Sequence, residues 1–208
     1  MKIGLLLSGC GMYDGSEAAE AVLTLLALDR AGARAVCVAP GIDQMHVVDH
    51  LSGEEAEGER RSVLAESARL ARGKVASLTD FWSGDLQGLV IAGGYGAAKN
   101  LMTGFMDPAR RREIIPEVRV LLDELTARGR PIGAISLGRT VVCAYFDQEM
   151  TDDDISMPAT EVAVDETRRT AFTPGFLSAV RVTDAAHGID GLVSAILRMA
   201  SAGLPILR

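Results

Sequence analysis

The sequence has little that would place the chain in a membrane or on a nucleic acid. The apolar run at the N-terminus extends only from Ile3 to Leu7, and no stretch approaches the roughly 18 apolar residues that a membrane span needs. Acidic residues outnumber basic ones by 28 to 21, aromatic residues make up only 4% of the chain, and no basic stripe carries interleaved aromatic residues. We therefore predict no membrane segment and no nucleic-acid partner.

Cysteine is also scarce, and its three positions are not spaced as metal ligands. The cysteines are Cys10, Cys37 and Cys143. Their number is odd and no CxxC pair occurs, which argues against a disulfide framework and against a metal site. A reducing environment suits such a chain, so we predict a cytoplasmic protein without a bound metal.

Apolar segments alternate along the chain between strand-like and helix-like spacing. Strands are predicted at 2–8, 33–40, 86–94 and 131–135, and helices at 16–31, 59–73, 109–129, 138–146 and 184–201. Residues 41–58 are expected to form a short hairpin or excursion, 147–159 a short connection, and 160–176 an antiparallel hairpin. Strands that alternate with helices predict a mainly parallel sheet covered on both faces. We expect a single α/β domain over residues 1–208.

Three glycine-rich segments follow the predicted strands, and they should meet at the carboxyl edge of the sheet. They read SGCGMYDGSE, AGGYGAAKN and ISLGR. In the last of them, Ser136 stands at a corner between a strand and a helix. Such a corner lifts one side chain out of the sheet, where many α/β enzymes carry a nucleophile. The alternative is that Ser136 only caps the following helix.

Four motifs resemble the ThiJ/PfpI superfamily, which shares its fold with class I glutamine amidotransferases. They are LSGCGMYDGSE (7–17), AVLTLLALDRAGA (21–33), GGYGAAKNL (93–101) and HGIDGLV (187–193), and they span nearly the whole chain. Within the superfamily they are most similar to the ElbB or glyoxalase III-like branch. The resemblance implies a flavodoxin-like three-layer sandwich with a C-terminal hairpin, a cytoplasmic homodimer, and a site for a small-molecule substrate.

The resemblance also implies which residues form that site. The nucleophile of the family falls on Ser136, its glutamate on Glu17, and its oxyanion donors on Gly93 or Gly94 and on the amide of Leu137. The family has cysteine where this chain has Ser136, and a serine hydroxyl normally needs an adjacent base. We expect an oxygen of Glu17 within hydrogen-bond reach of Ser136 Oγ, as base or as simple partner.

Further candidates lie beside these residues. Arg139 could bind an anionic group of a substrate, or it could pair with an acidic side chain. Cys10 could replace the missing thiol, or it could be an inert buried cysteine. Tyr95 and Asn100 are candidate polar contacts in the glycine loop.

Histidine and nucleotide-binding motifs set limits on the chemistry. His46, His50 and His187 all lie outside the three converging segments, which argues against a Ser-His-Asp triad. The glycine loop fits neither the dinucleotide fingerprint nor the phosphate loop, so we predict no cofactor.

Three hypotheses about function follow. The first is an enzyme acting on a small carbonyl compound as a lyase, hydratase, isomerase or hydrolase, with Glu17 as acid–base group. The second is a non-catalytic binding or regulatory homologue of glyoxalase III-like proteins. The third is a glyoxalase III-like enzyme inactivated by replacement of cysteine with Ser136.

Overall fold

A computed structural model describes residues 1–107 and 109–202 of the chain. In chain order the elements are β1 (Lys2–Leu6), α1 (Ala18–Arg30), β2 (Arg34–Ala39), α2 (Val63–Leu70), β3 (Val75–Ser77), β4 (Gly88–Ile91), α3 (Tyr95–Asn100), β5 (Met102–Thr103), β6 (Glu113–Ile114), α4 (Pro116–Ala127), β7 (Ile132–Ile135), α5 (Gly138–Tyr145), α6 (Asp152–Ser156), β8 (Ala163–Asp165), β9 (Thr170–Thr173) and α7 (Val182–Ala202). Short 3₁₀ turns cover Ser83–Asp85 and Gly175–Leu177.

Seven strands form one sheet in the order β3-β2-β1-β4-β7-β9-β8. All neighbours run parallel except β8 and β9, which pair antiparallel as the predicted C-terminal hairpin. The four strands expected from the sequence are consecutive in this sheet, so the flavodoxin-like α/β prediction is confirmed. The strand order changes direction at β1, because β2 and β3 are added on one side of β1 and β4 and β7 on the other. In open parallel sheets, ligands bind at such a switch point.

Alternate residues of the strands face two separate hydrophobic layers, as the period-two geometry of a strand requires. Leu5, Val90 and Ile135 pack into the layer that contains α1 and α7. Their neighbours Leu6 and Ile91 pack into the layer that contains α4 and α5. Both faces of the sheet are therefore buried, which explains the unbroken apolar runs of the strands.

Three parts of the chain differ from the sequence prediction. The helix expected at 109–129 begins only at Pro116, because proline suits the first turn of a helix and the preceding segment pairs as β6 with β5. The strand β3 was not predicted, since its three residues carry too little pattern. The connection 147–159 contains the short helix α6. Its N-terminus carries a capping box formed by Thr151 and Asp154.

Within the described part of the chain, none of the helices combines the length and apolar character needed to cross a bilayer.

Candidate functional site

Ser136 occupies the tight corner between β7 and α5. Its φ is +52°, a left-handed conformation that non-glycine residues adopt at a cost on the order of 1 kcal/mol or more. The corner is held because the Ser136 N–H donates to Thr173 O at 3.0 Å and the Arg139 N–H donates to Ser136 O at 3.0 Å. Gly138 follows because a Cβ there would lie 2.7 Å from Ile91 O. The surrounding backbone therefore imposes a strained conformation on Ser136.

The carboxyl group beside Ser136 belongs to Glu20, in the first turn of α1. Glu20 is fully buried, and its Oε1 accepts the Phe176 N–H at 2.9 Å. Its Oε2 is buried and has no hydrogen-bond partner among the described residues. A Cβ added to Gly93 would lie 2.1 Å from Glu20 Oε2 and 2.5 Å from Ser136 Cβ. Glu20 and Ser136 thus meet across Gly93, where only glycine leaves room for both.

Burial raises the pKa of Glu20 to about 8. The negative charge of Glu17 adds to this increase, whereas the Phe176 and Gly93 N–H groups oppose it. The Gly93 amide faces the carboxyl group without reaching good hydrogen-bond geometry, since Oε2 remains unpartnered. At neutral pH Glu20 is therefore mainly protonated and can donate a proton rather than accept one.

The expectation of a hydrogen bond between Glu17 and Ser136 is wrong. Glu17 is the N-cap of α1, and its Oε2 accepts the Glu20 N–H at 2.6 Å. Its own N–H donates to Gly93 O at 3.0 Å, and the described residues contain no hydrogen bond between its side chain and Ser136. The carboxylate of Glu17 is used to begin the helix, which is the ordinary role of an acidic N-cap.

Free backbone donors lie on both sides of this pair. Within residues 1–107 and 109–202, the N–H groups of Gly94 and Leu137 donate to no protein acceptor. Gly94 has φ of +90°, and a Cβ there would lie 2.4 Å from Gly15 O, so the loop admits only glycine. The resemblance assigned the oxyanion donors to Gly93 or Gly94 and to Leu137, and of these the amides of Gly94 and Leu137 are unpaired within the described residues.

Two other candidate residues lie against polar groups of the protein, although the buried Nε of Arg139 makes no hydrogen bond among the described residues. Arg139 Nε lies 3.5 Å from Asp154 Oδ1, and its guanidinium stacks on the ring of Phe172 at 5.4 Å. Pairing with an acidic side chain was the predicted alternative to binding an anionic group of a substrate, and Asp154 is that side chain. Asn100 is buried, donates to Ser8 O and Asp14 O at 2.8 Å each, and accepts the Met45 N–H at 2.9 Å. Asn100 therefore braces the backbone and has no free donor for a substrate.

Cys10 and Tyr95 lie near the site without an evident chemical role. The pKa of the Cys10 thiol is raised, first by burial and then by the carboxylates of Glu66, Asp14 and Glu17. Such a thiol stays protonated at neutral pH and is a poor substitute for the missing thiolate. Tyr95 begins α3 with an exposed ring, under which Lys99 Nζ lies 5.5 Å from the centroid.

No histidine reaches the pair. Among the described residues, no hydrogen bond connects His46, His50 or His187 with Ser136. The reading of the sequence missed Glu20, although a signal for it existed. The buried positions of α1 are Glu20, Ala21, Thr24, Ala27 and Leu28, so Glu20 is a carboxylate at the N-terminal end of an inward-facing stripe.

A separate cleft of about 770 Å³ lies beside α5 and the loop before α4. Its lining includes Arg110, Arg111, Arg112, Arg119, Thr140 and Cys143, together with four acidic residues. Arg110 and Arg111 pair with Asp107 and Asp147 at 3.4 and 3.3 Å. Neither Ser136 nor Glu20 lines this cleft.

Comparisons with known proteins agree with this architecture. No family model matches the chain. The chain is 45% identical over 132 residues to the human glutamine amidotransferase-like class 1 domain-containing protein 3, mitochondrial, covering 64% of this chain and 49% of that protein. It is 33% identical over 223 residues to the rat ES1 protein homolog, mitochondrial, covering 95% of this chain and 84% of that protein. The chain thus spans about half the length of the human relative.

Solved structures give the same result. A crystal structure of an isoprenoid biosynthesis protein with an amidotransferase-like domain from Ehrlichia chaffeensis matches with a TM-score of 0.87 and 30% identity, over 95% of this chain and 99% of that one. Oxidized DJ-1 from Toxoplasma gondii matches with a TM-score of 0.50 and 16% identity, over 97% of this chain and 95% of that one. The second match shows the fold alone.

The sheet order, the two helical layers and the glycine loops define a protein of the class I glutamine amidotransferase-like fold. Within that class, the chain belongs to the ThiJ/PfpI superfamily, together with the ES1 and amidotransferase-like relatives. The superfamily contains both enzymes and binding proteins, so the reaction has to be argued from the site.

Proposed function

We propose that this protein is an enzyme that acts on a small carbonyl compound, with Glu20 as its acid–base group. The observation that carries the proposal is that Glu20 Oε2 and Ser136 Cβ both border the space beside Gly93. A buried carboxyl with a pKa of about 8, beside a serine in a strained conformation, is more typical of a reactive site than of a stabilising core. Glu20 thus takes the role that the sequence assigned to Glu17.

The protonation state of Glu20 favours one type of chemistry. A protonated carboxyl can deliver its proton to a carbonyl oxygen or to the neighbouring carbon of an enolate. The free N–H groups of Gly94 and Leu137 can stabilise negative charge on a substrate oxygen. Ser136 can orient the same oxygen through its hydroxyl. Because a protonated Glu20 cannot remove the hydroxyl proton of Ser136, hydrolysis with Ser136 as nucleophile is disfavoured, and Glu20 supplies the general-acid step of a lyase, hydratase or isomerase reaction.

Turnover in paired variants tests the proposal. Small 2-oxoaldehydes and cyclic ketones are screened first, and the best substrate is used for kinetics. We expect Glu20→Gln to lower kcat about 10²- to 10⁴-fold, because glutamine keeps the shape but carries no acidic proton. Glu17→Gln is the matched control on the same helix and should keep most of the activity. Full activity of Glu20→Gln, with melting temperatures as a check on folding, would contradict the proposal.

A non-catalytic binding protein is the second candidate. It is favoured by the absence, among the described residues, of a hydrogen bond to Ser136 Oγ from any acidic or basic side chain. On this alternative no carbonyl compound is turned over, yet binding still raises the melting temperature of the chain. Ser136→Trp would then abolish the shift by filling the site, whereas Glu20→Gln would preserve it.

A homodimer in the cytoplasm is also part of the proposal. The resemblance to ThiJ/PfpI proteins supports the dimer, and the free cysteines Cys10, Cys37 and Cys143 suit a reducing environment. The two curated relatives are named mitochondrial, so localisation of the tagged full-length protein is the relevant measurement. Sedimentation at micromolar concentration tests the dimer.

A further inference from the structure

His50 connects the excursion after β2 with the loop between β1 and α1. Its Nε2 accepts the Tyr13 N–H at 3.2 Å, and its Nδ1 lies 3.0 Å from Val48 O. A neutral imidazole with its proton on Nδ1 satisfies both contacts, since it then has one donor and one acceptor. The ring also lies against Tyr13, with centroids 5.2 Å apart. Both contacts of the ring are thus compatible with a neutral imidazole.

A buried carboxylate lies behind this histidine. Asp14 is 1% exposed, and its Oδ2 accepts the Val48 N–H at 2.8 Å. Its Oδ1 is buried, has no hydrogen-bond partner among the described residues, and lies 3.8 Å from His50 Nε2. A proton on Nε2 would remove the acceptor of the Tyr13 N–H and would be attracted to Oδ1 instead. Two hydrogen-bond arrangements thus compete for one nitrogen.

Other charged groups surround the histidine. From α3, Lys99 Nζ donates to Tyr13 O at 2.9 Å, and its pKa is lowered by burial while Asp14 and Glu55 oppose the change. Glu55 forms an isolated antiparallel bridge with Val48. Asp49 precedes His50 and is exposed. Among these residue types, only histidine ordinarily changes its charge between pH 5 and 8.

The loop held by His50 is bonded to the glycine loop of the proposed site. The Tyr95 N–H donates to Met12 O at 2.8 Å, and the Gly96 N–H donates to Gly15 O at 2.9 Å. The third bond runs from the Glu17 N–H to Gly93 O at 3.0 Å. Gly93 is the residue that separates Glu20 from Ser136. The loop that contains Tyr13 is therefore joined to the glycine loop by three backbone hydrogen bonds.

We propose that His50 is a positioning residue that holds the glycine loop in place through Tyr13 when neutral and loosens it when protonated. The inference rests on the proposed function for its catalytic consequence, whereas its structural consequence can be measured without any substrate. Gly11 fits this arrangement, since a Cβ there would lie 2.5 Å from His50 Cε1 and 2.7 Å from Asp14 Oδ1. Only glycine at position 11 leaves room for the carboxylate of Asp14 and the imidazole of His50 to lie this close to the backbone.

Amide hydrogen exchange of Tyr13, measured by NMR from pH 5 to 8, provides the test. After correction for the intrinsic pH dependence of exchange, we expect the protection of Tyr13 in the unchanged chain to fall about five- to tenfold at pH 5, as loss of one hydrogen bond predicts. His50→Gln should show no such change across the range. His46→Gln and His187→Gln are matched controls that should behave like the unchanged chain. Constant protection of Tyr13 in the unchanged chain would overturn the inference.

A second variant keeps the test valid if His50→Gln does not fold. Asp14→Asn removes the charge that attracts a protonated His50 but keeps an acceptor for the Val48 N–H. The loss of Tyr13 protection at pH 5 should therefore be smaller in Asp14→Asn than in the unchanged chain. An unchanged loss in Asp14→Asn would contradict the role given to Asp14. If a substrate is found, kcat/KM of the unchanged chain should fall at acidic pH, and this fall should be absent in His50→Gln. If no substrate is found, only the proposed function fails and the exchange result stands.

Discussion

The pKa of Glu20 makes a quantitative prediction about the pH dependence of stability. In the unfolded chain Glu20 has an ordinary pKa near 4.5, whereas in the folded chain burial raises the pKa to about 8. Between these two values the folded state holds a proton that the unfolded state has released. Stability therefore falls as the pH rises through this window, is unaffected by Glu20 below it, and reaches its lowest contribution above it. The full effect is about 5 kcal/mol, since one pH unit corresponds to about 1.4 kcal/mol.

Urea unfolding of the unchanged chain and of Glu20→Gln measures this contribution. Glutamine has no proton to release, so the difference in unfolding free energy between the two proteins isolates the titration of Glu20. We expect that difference to shift in favour of the variant by about 1.4 kcal/mol per pH unit between pH 5 and 7.5. Glu17→Gln, one turn earlier, should leave the slope in place because Glu17 is only partly buried. A pH-independent difference would refute the raised pKa and, with it, the protonated acid of the proposed mechanism.

Two further substitutions test the construction of the site. Gly175→Ala should reduce the free energy of unfolding by about 1–3 kcal/mol and lower turnover, because φ of Gly175 is +52° and the new Cβ would lie 2.3 Å from Glu20 Oε1. An unfolding curve and kinetics that match those of the unchanged chain would contradict this expectation. We expect the unchanged chain to form almost no lactate from methylglyoxal, because it lacks a thiolate at position 136, and we expect Ser136→Cys to gain this activity. Equal rates of lactate formation in Ser136→Cys and Ser136→Ala would show that the thiol adds nothing.

Local patterns of the sequence were sufficient for most of the architecture. Buried parallel strands need apolar side chains on both faces, so β1, β4 and β7 appear as short uninterrupted apolar runs. The expected helix at 109–129 began too early, because the pairing of β5 with β6 joins residues ten and twelve positions apart, which no local pattern specifies. The three residues of β3 are too few to carry a recognisable strand pattern.

The site divides in the same way between local and long-range causes. The corner at Ser136 follows from a buried strand, a serine and a helix in succession, which are all local. The choice between Glu17 and Glu20 is not local, since the two carboxylates stand three residues apart at the start of one helix, at its N-cap and in its first turn. Glu17 satisfies the helix end, and Glu20 is turned inward, where Gly93 and Phe176 from other segments meet it.

The amino-acid sequence by itself determined the fold class, the convergence of three glycine-rich strand ends, and the presence of a serine at the strand-to-helix corner. These follow from side-chain period and backbone freedom, which act over a few residues. Only the tertiary structure decided which carboxyl lies beside Ser136, that burial raises the pKa of this carboxyl to about 8, and that His50 and Asp14 accept the N–H groups of Tyr13 and Val48. Burial and electrostatic environment arise from segments distant in the chain, so they exist only once the sheet has assembled and excluded water from Glu20.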